Sequence, residues 1–190
     1  MIPTKRMLTA VFGLLLSLSL FTGAGPTLET AEAQTQWDPE EELTLVVLAN
    51  KQVAIDTLSI QVLSGVFLKN RKQVKGISLE PLNFNPDHPA RIVFDGVVHN
   101  QSRKAAQRYW VEQSIKGIAT PPLKASSTRA LLSRARQYST SITYLPLEEW
   151  KSSDYPRFKR INLIPRGGDK GLSPESSKYP LSGNPTDYLN

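Results

Sequence analysis

The chain has 190 residues, 23 Lys and Arg against 17 Asp and Glu, and a net charge of +6. It contains no cysteine, which excludes a cysteine nucleophile, a thiolate metal site and any disulfide. The length accommodates one domain with flanking segments.

Residues 1–33 read as a targeting segment. Lys5 and Arg6 precede an apolar run over 7–21, and Ala31-Glu32-Ala33 is suited to signal peptidase. The run is shorter than the roughly 20 residues that span a bilayer. A signal peptide cleaved before Gln34 is therefore expected, with a retained anchor as the alternative. Either way the body is exported, and the mature form does not span a membrane. An exported fold without disulfides suits a bacterial envelope or periplasmic protein. Residues 34–42 (QTQWDPEEE) are a polar, acidic linker.

Residues 43–49 form a short apolar run of strand length. Ser59 is placed to cap a helix carrying Ile60, Val62, Leu63, Val66 and Phe67. A basic turn with Lys69, Arg71, Lys72 and Lys75 follows. Residues 78–84 then read as a second strand, kept near a sheet edge by Pro81. Two strands joined through a helix predict a parallel pair in an α/β layer. Residues 83–89 (NFNPDHP) are a dense turn signal. Pro89 opens a helix, with Asp87 or His88 as its cap, and Gly96 weakens its interior. Ser102 starts the strongest helix, which buries Ala105, Ala106, Tyr109, Trp110 and Ile115 and stops at Gly117. An extended connector over 118–123 leads to a helix capped by Ser126 or Ser127, with Leu131 and Leu132 inward. Residues 141–145 form a strand, and Trp150 closes the packed domain, 43–150. Residues 151–190 are rich in Pro, Gly, Ser and Asn and are expected to be a mostly disordered tail, with 161–164 as a small strand or docking segment.

The chemistry is quieter. His88 and His99 lie in different elements without ligand spacing, no G-x-S-x-G turn frames a serine, and no Gly-rich phosphate loop is present. No enzyme activity, no cofactor and no metal are expected. The cationic groups read mainly as solvated faces, and export argues against nucleic acid as a partner. Lipid headgroups, cell-wall polymers or a small anion remain as anionic partners.

In order, Leu58-Ser59, Leu63, Val66-Phe67-Leu68, the Pro86 to Pro89 turn with Arg91 and Phe94, Tyr109-Trp110, Gly117, Pro121-Pro122, Ile142 and Tyr144 make a pattern over 43–146. The pattern resembles short, exported relatives of the phosphate-binding proteins of ABC transporters, in the type 2 periplasmic binding protein superfamily. The resemblance implies an α/β fold equivalent to a single lobe of such a protein. It implies a non-catalytic binding protein for phosphate or another small anion, with Asn50, Ser59, Asn83 and Arg91 as ligand contacts and an ABC permease or other envelope proteins as partners. The sequence departs from the family at each anion-binding turn. Ala49-Asn50-Lys51-Gln52 follows the first strand, Asp87-His88-Pro89 replaces a Ser-Gly-Thr turn, and Ser139 to Tyr144 lacks the family's glycines. Pro89 removes an N–H donor and Asp87 adds negative charge, so binding is expected to be weak. The alternative is a ligand-free interaction or scaffold module of the cell envelope.

Overall fold

The computed structural model describes residues 41–190, which belong to one compact unit. The expected signal peptide and most of the expected acidic linker lie outside the described residues. Strand β1 (Leu43–Asn50) is apolar along almost its whole length and buried on both faces, so it occupies the middle of the sheet. β2 (Thr57–Ser59) leads into α1 (Ile60–Phe67), whose N-terminus is capped by Ser59 Oγ accepting from the Val62 N–H at 3.2 Å. β3 (Glu80–Phe84) runs into α2 (Pro89–His99), with His88 as cap and Pro89 in the first turn. α3 (Arg103–Ile115) is capped by Ser102, and β4 (Leu123–Ala125) leads to α4 (Thr128–Ala135), capped by Ser127. β5 (Ser141–Pro146), β6 (Phe158–Ile164) and the short β7 (Ser182–Gly183) complete the sheet.

The strand order is β2-β6-β1-β5-β3-β4, with β7 beside the start of β1. β1 is antiparallel to β5, β6 and β7. β2 is parallel to β6, β3 to β5, and β4 to β3. β1 therefore runs against the other six strands, which share one direction. The fold is the expected α/β class, but the parallel pairing of residues 43–49 with 78–84 is corrected. β5 lies between them, and β1 is antiparallel to β3. The parallel crossover unit is instead β2–α1–β3. Three residues of β2 carry too little alternation for a strand signal, so the helical connection appeared to start from β1.

The tail is the larger correction. β6 lies between β1 and β2, with Phe158, Ile161 and Leu163 buried, and it contains the 161–164 segment expected as a small strand or docking segment. Tyr179 and Leu181 join the core, and Trp150 stacks on Tyr155 rather than closing the packed body. Arg166 donates through Nη2 to the Val98 carbonyl at 2.8 Å, placing a cation at the carboxyl end of α2. Gly96 does not break α2. Its missing side chain admits the ring of Tyr188, which a Cβ there would overlap. Composition suggested disorder because turn residues dominate the count, whereas the few apolar residues that dock are enough to order the segment.

Phe67, Phe84, Phe94 and Tyr144 meet at the centre of the core. The Phe94 and Tyr144 rings stack at 3.8 Å, and Phe67 lies 4.6 Å from Phe94. Among the described residues, no helix is long and apolar enough to cross a membrane.

Candidate functional site

Because β2, β3 and β4 share one direction, the N-termini of α1, α2 and α4 all open at the same end of the sheet. In an open α/β sheet the carboxyl ends of the strands are where ligand crevices form. Asn50 and Ser59 do not border the groove that Arg91 lines. Asn50 ends the reversed strand β1 and sits beside Phe158, at the opposite end of the sheet. Its Nδ2 donates to the Tyr138 carbonyl at 3.2 Å and its Oδ1 accepts from the Gln52 N–H at 3.1 Å. Ser59 is at the carboxyl end but on the edge strand β2, four strands away from β3.

Asn83 and Arg91 are brought together. Tyr144, fully buried, donates its hydroxyl to Asn83 Oδ1 at 2.5 Å. Arg91 lies beside Tyr144 and donates through Nε to Asp95 Oδ2 at 2.6 Å, one turn along α2. Burial opposes the charge on Arg91, yet Asp95 holds its pKa above the ordinary value. Burial pushes the Asp95 carboxyl up, against the pull of Arg91. Two polar atoms of this network, Asn83 Nδ2 and Asp95 Oδ1, are buried without a hydrogen-bond partner.

Arg91 and Asp95 form part of the wall of an open groove of about 620 Å³ between α2, α3, β4 and α4. Trp110, Pro121, Pro122 and Leu123 supply an apolar wall, and Arg103, Lys124 and Arg134 bring further cations. Lys124 sits directly beside Asn83 in the β3–β4 register. Arg103 is paired with Asp87, as Arg91 is with Asp95. Lys124 and Arg134 have no carboxylate partner among the described residues, so they carry the groove's uncompensated charge. Lys124, Arg134 and the role of Asp95 were missed by sequence reasoning. Only the four-residue spacing of Arg91 and Asp95 offered a signal, since the other groups converge through folding. Among the described residues, no group of three His, Asp or Glu side chains is placed to hold a metal ion.

The two histidines are structural neighbours of this network. His88 stacks on Phe84 at 3.9 Å, and its Nδ1 accepts from the Ala90 N–H at 3.2 Å. Burial lowers its pKa to about 4. His99 Nδ1 shares a hydrogen bond with Ser64 Oγ at 2.9 Å. Burial, with Arg91 and Arg166 nearby, lowers the His99 pKa to about 3. Both rings stay neutral when folded, whereas the unfolded chain takes up two protons as pH falls through the ordinary histidine range. Stability from these two groups is thus complete above the unfolded pKa of about 6.5 and is lost toward pH 4, by roughly 1–2 kcal/mol per histidine at about pH 5. Urea titrations at neutral and mildly acid pH check this. His99→Gln together with His88→Asn should flatten the slope, and an unchanged slope would show that neither ring is buried neutral.

No protein-family model matches the sequence, and no curated protein aligns with it. Solved structures do match. An ABC-type phosphate transport receptor from Vibrio cholerae superposes with a TM-score of 0.55 at 12% identity, covering 74% of this chain and 54% of the receptor. A putative phosphate ABC transporter substrate-binding protein with bound phosphate, from Clostridium perfringens, gives 0.55 at 9% identity over 74% and 53%. PstS from Borrelia burgdorferi gives 0.56 at 11% identity over 75% and 55%. The fold is that of a single lobe of a periplasmic binding protein. The chain spans about half the length of the structures it matches.

Proposed function

We propose that this chain is an exported, non-catalytic binding protein that takes phosphate or a similar small oxyanion weakly in the groove between α2, α3, β4 and α4. The observation that carries the reading is the pair of uncompensated cations, Lys124 and Arg134, in the groove beside the start of β4 and the last turn of α4. Arg91, bonded to Asp95, borders the same site, and Asn83, bonded to Tyr144, lies beside Lys124 in the β3–β4 register. Weak rather than tight capture follows because Asp95 and Asp87 already occupy Arg91 and Arg103. The N-terminus of α2 is likewise taken by His88 and Pro89, which leaves few free N–H donors. The fold likeness to phosphate receptors supports the same ligand class and, with it, an ABC permease as a partner.

Calorimetric titration with phosphate and with sulfate tests the proposal. Dissociation constants on the order of millimolar are expected. Lys124→Ala with Arg134→Ala should weaken binding by about tenfold or more, because charge-assisted hydrogen bonds are lost. No heat at millimolar anion would sink it. The second reading, a ligand-free envelope module, is favoured by the internal pairing of Arg91 and Arg103, and such a titration would then be silent.

A further inference from the structure

The C-terminal end of α3 carries exposed apolar side chains, of which only Val111 borders the groove. Ile115 is 81% exposed and Ile118 is 66% exposed. Val111, one turn before Ile115, is 57% exposed. α3 was expected to bury Ile115, but its buried face is set by Ala106 and Trp110, which leaves Val111 and Ile115 pointing to solvent. The helix closes with the Ile118 N–H donating to the Gln113 carbonyl at 3.0 Å and the Gly117 N–H to the Ser114 carbonyl at 3.1 Å. Gly117 supplies the left-handed φ of 65° that this closure needs. The turn thereby leaves Ile118 exposed at the helix end, three positions after the exposed Ile115. A closure of this kind normally folds its apolar residue back onto the last turn. Here the side chain stays in solvent.

Cations surround the ridge. Lys104 and Arg108 precede it on the exposed face of α3, and Lys116 follows. Ile118, Ser114 and Gly117 also border a second groove that brings in Lys69, Arg71 and Lys72 from the turn after α1. Acid is sparse by comparison. Glu112 is the one acidic residue within α3, and Glu80 in the second groove lies 3.9 Å from Lys69.

We infer that the Ile115–Ile118 helix end is a membrane-contact surface that inserts into the interfacial layer of an anionic phospholipid bilayer. Exposed aliphatic side chains at a helix end, with Lys and Arg on the same helix and across the second groove, match the two parts of such an interface. The apolar groups enter the headgroup–acyl boundary, and the cations meet lipid phosphates. An acidic protein partner fits less well. Protein interfaces concentrate Trp, Tyr and Arg at a buried centre, whereas this ridge offers only β-branched aliphatics, and Trp110 is turned inward. A second copy of the chain fits less well again, because both faces would bring positive charge. Export would place the body beside a membrane, the setting this surface requires.

Vesicle sedimentation tests the inference with the chain from Gln34 onward. This form keeps the whole unit 41–190 and omits the apolar 7–21 stretch, which would itself partition into lipid. The protein should sediment with vesicles of phosphatidylglycerol and phosphatidylcholine and stay in solution with phosphatidylcholine alone. Raising the salt should release it, because exposed charges are screened. Ile115→Ser with Ile118→Ser should lower partitioning about tenfold while leaving the thermal transition and any phosphate heat unchanged. Ile115→Leu with Ile118→Leu should retain it. Equal binding to both vesicle types, no binding to either, or full binding by the serine variant would overturn the inference. Capture by soluble polyglutamate in preference to vesicles would also overturn it, in favour of an acidic protein partner. A silent phosphate titration leaves these outcomes unaffected, so the two proposals fail separately.

Discussion

A chain ending at Trp150 is expected to lose cooperative folding altogether. That truncation removes β6, which pairs with β1 on one side and β2 on the other. It exposes a long apolar edge on β1 and leaves β2 and the start of α1 without a sheet to join. It also deletes the buried side chains of Phe158, Ile161, Leu163, Tyr179 and Leu181. Each is worth about 1.5–3 kcal/mol of burial, and the sum reaches the 5–15 kcal/mol that typically separates folded from unfolded states. Far-UV circular dichroism with urea titration of the chains 34–150 and 34–190 makes the comparison. The shorter chain should show no sigmoidal transition and a tendency to associate through its bare strand edge. A chain ending at Gly183 keeps every strand and loses the Tyr188 ring against Gly96, so it should still unfold cooperatively at lower urea. A normal transition for 34–150 would mean that β6 is an accessory strand and that the sheet closes without it.

The Arg91–Asp95 pair should show the second-largest effect. Both side chains are almost fully buried, and the contact is 2.6 Å. Arg91→Ala leaves the Asp95 carboxylate in the core with His99, itself neutral, as its nearest polar neighbour at 3.8 Å. Removing one partner of a buried pair costs about 3–5 kcal/mol. Replacing both, as in Arg91→Met with Asp95→Leu, removes the desolvation cost together with the attraction. That double variant should lie within about 1–2 kcal/mol of the native protein or exceed it. Chemical denaturation of the native chain, Arg91→Met, Asp95→Leu and the double variant forms the double-mutant cycle, with Arg91→Ala measured alongside. Equal stability of Arg91→Ala and the native chain would place the guanidinium in solvent, and the network under the groove would then not exist.

Much of the local structure was legible because its causes are local. Ser59, His88, Ser102 and Ser127 cap the four helices, and each cap lies next to the helix it starts. Pro89 opening α2 and Gly117 closing α3 also act within one turn of themselves. β1 and β5 could be read because their apolar content is dense. β2 could not, because it is too short for a pattern, and β6 was read only in its second half, 161–164, because its first half is embedded in a Pro- and Gly-rich stretch whose overall composition suggests disorder. The same division holds at the site. Asn83 and Arg91 were found from a turn-and-helix resemblance, and Tyr144 joins them from a strand 61 positions later. Asn50 and Ser59 held positions that the resemblance assigned to ligand contact, but the sheet sends them to the far end and to the far edge.

The sequence by itself determined the helices, their caps, the absence of thiol chemistry, and an α/β layout resembling a binding-protein lobe. All of these depend on residues within a few positions of each other or on simple composition. Only the tertiary structure decided that β1 runs against its neighbours, that the last 40 or so residues complete the sheet, and that Lys124 and Arg134 face one groove unpaired. Those facts rest on which distant strands share hydrogen bonds and which charges burial brings together. Neither is encoded by the spacing of residues along the chain.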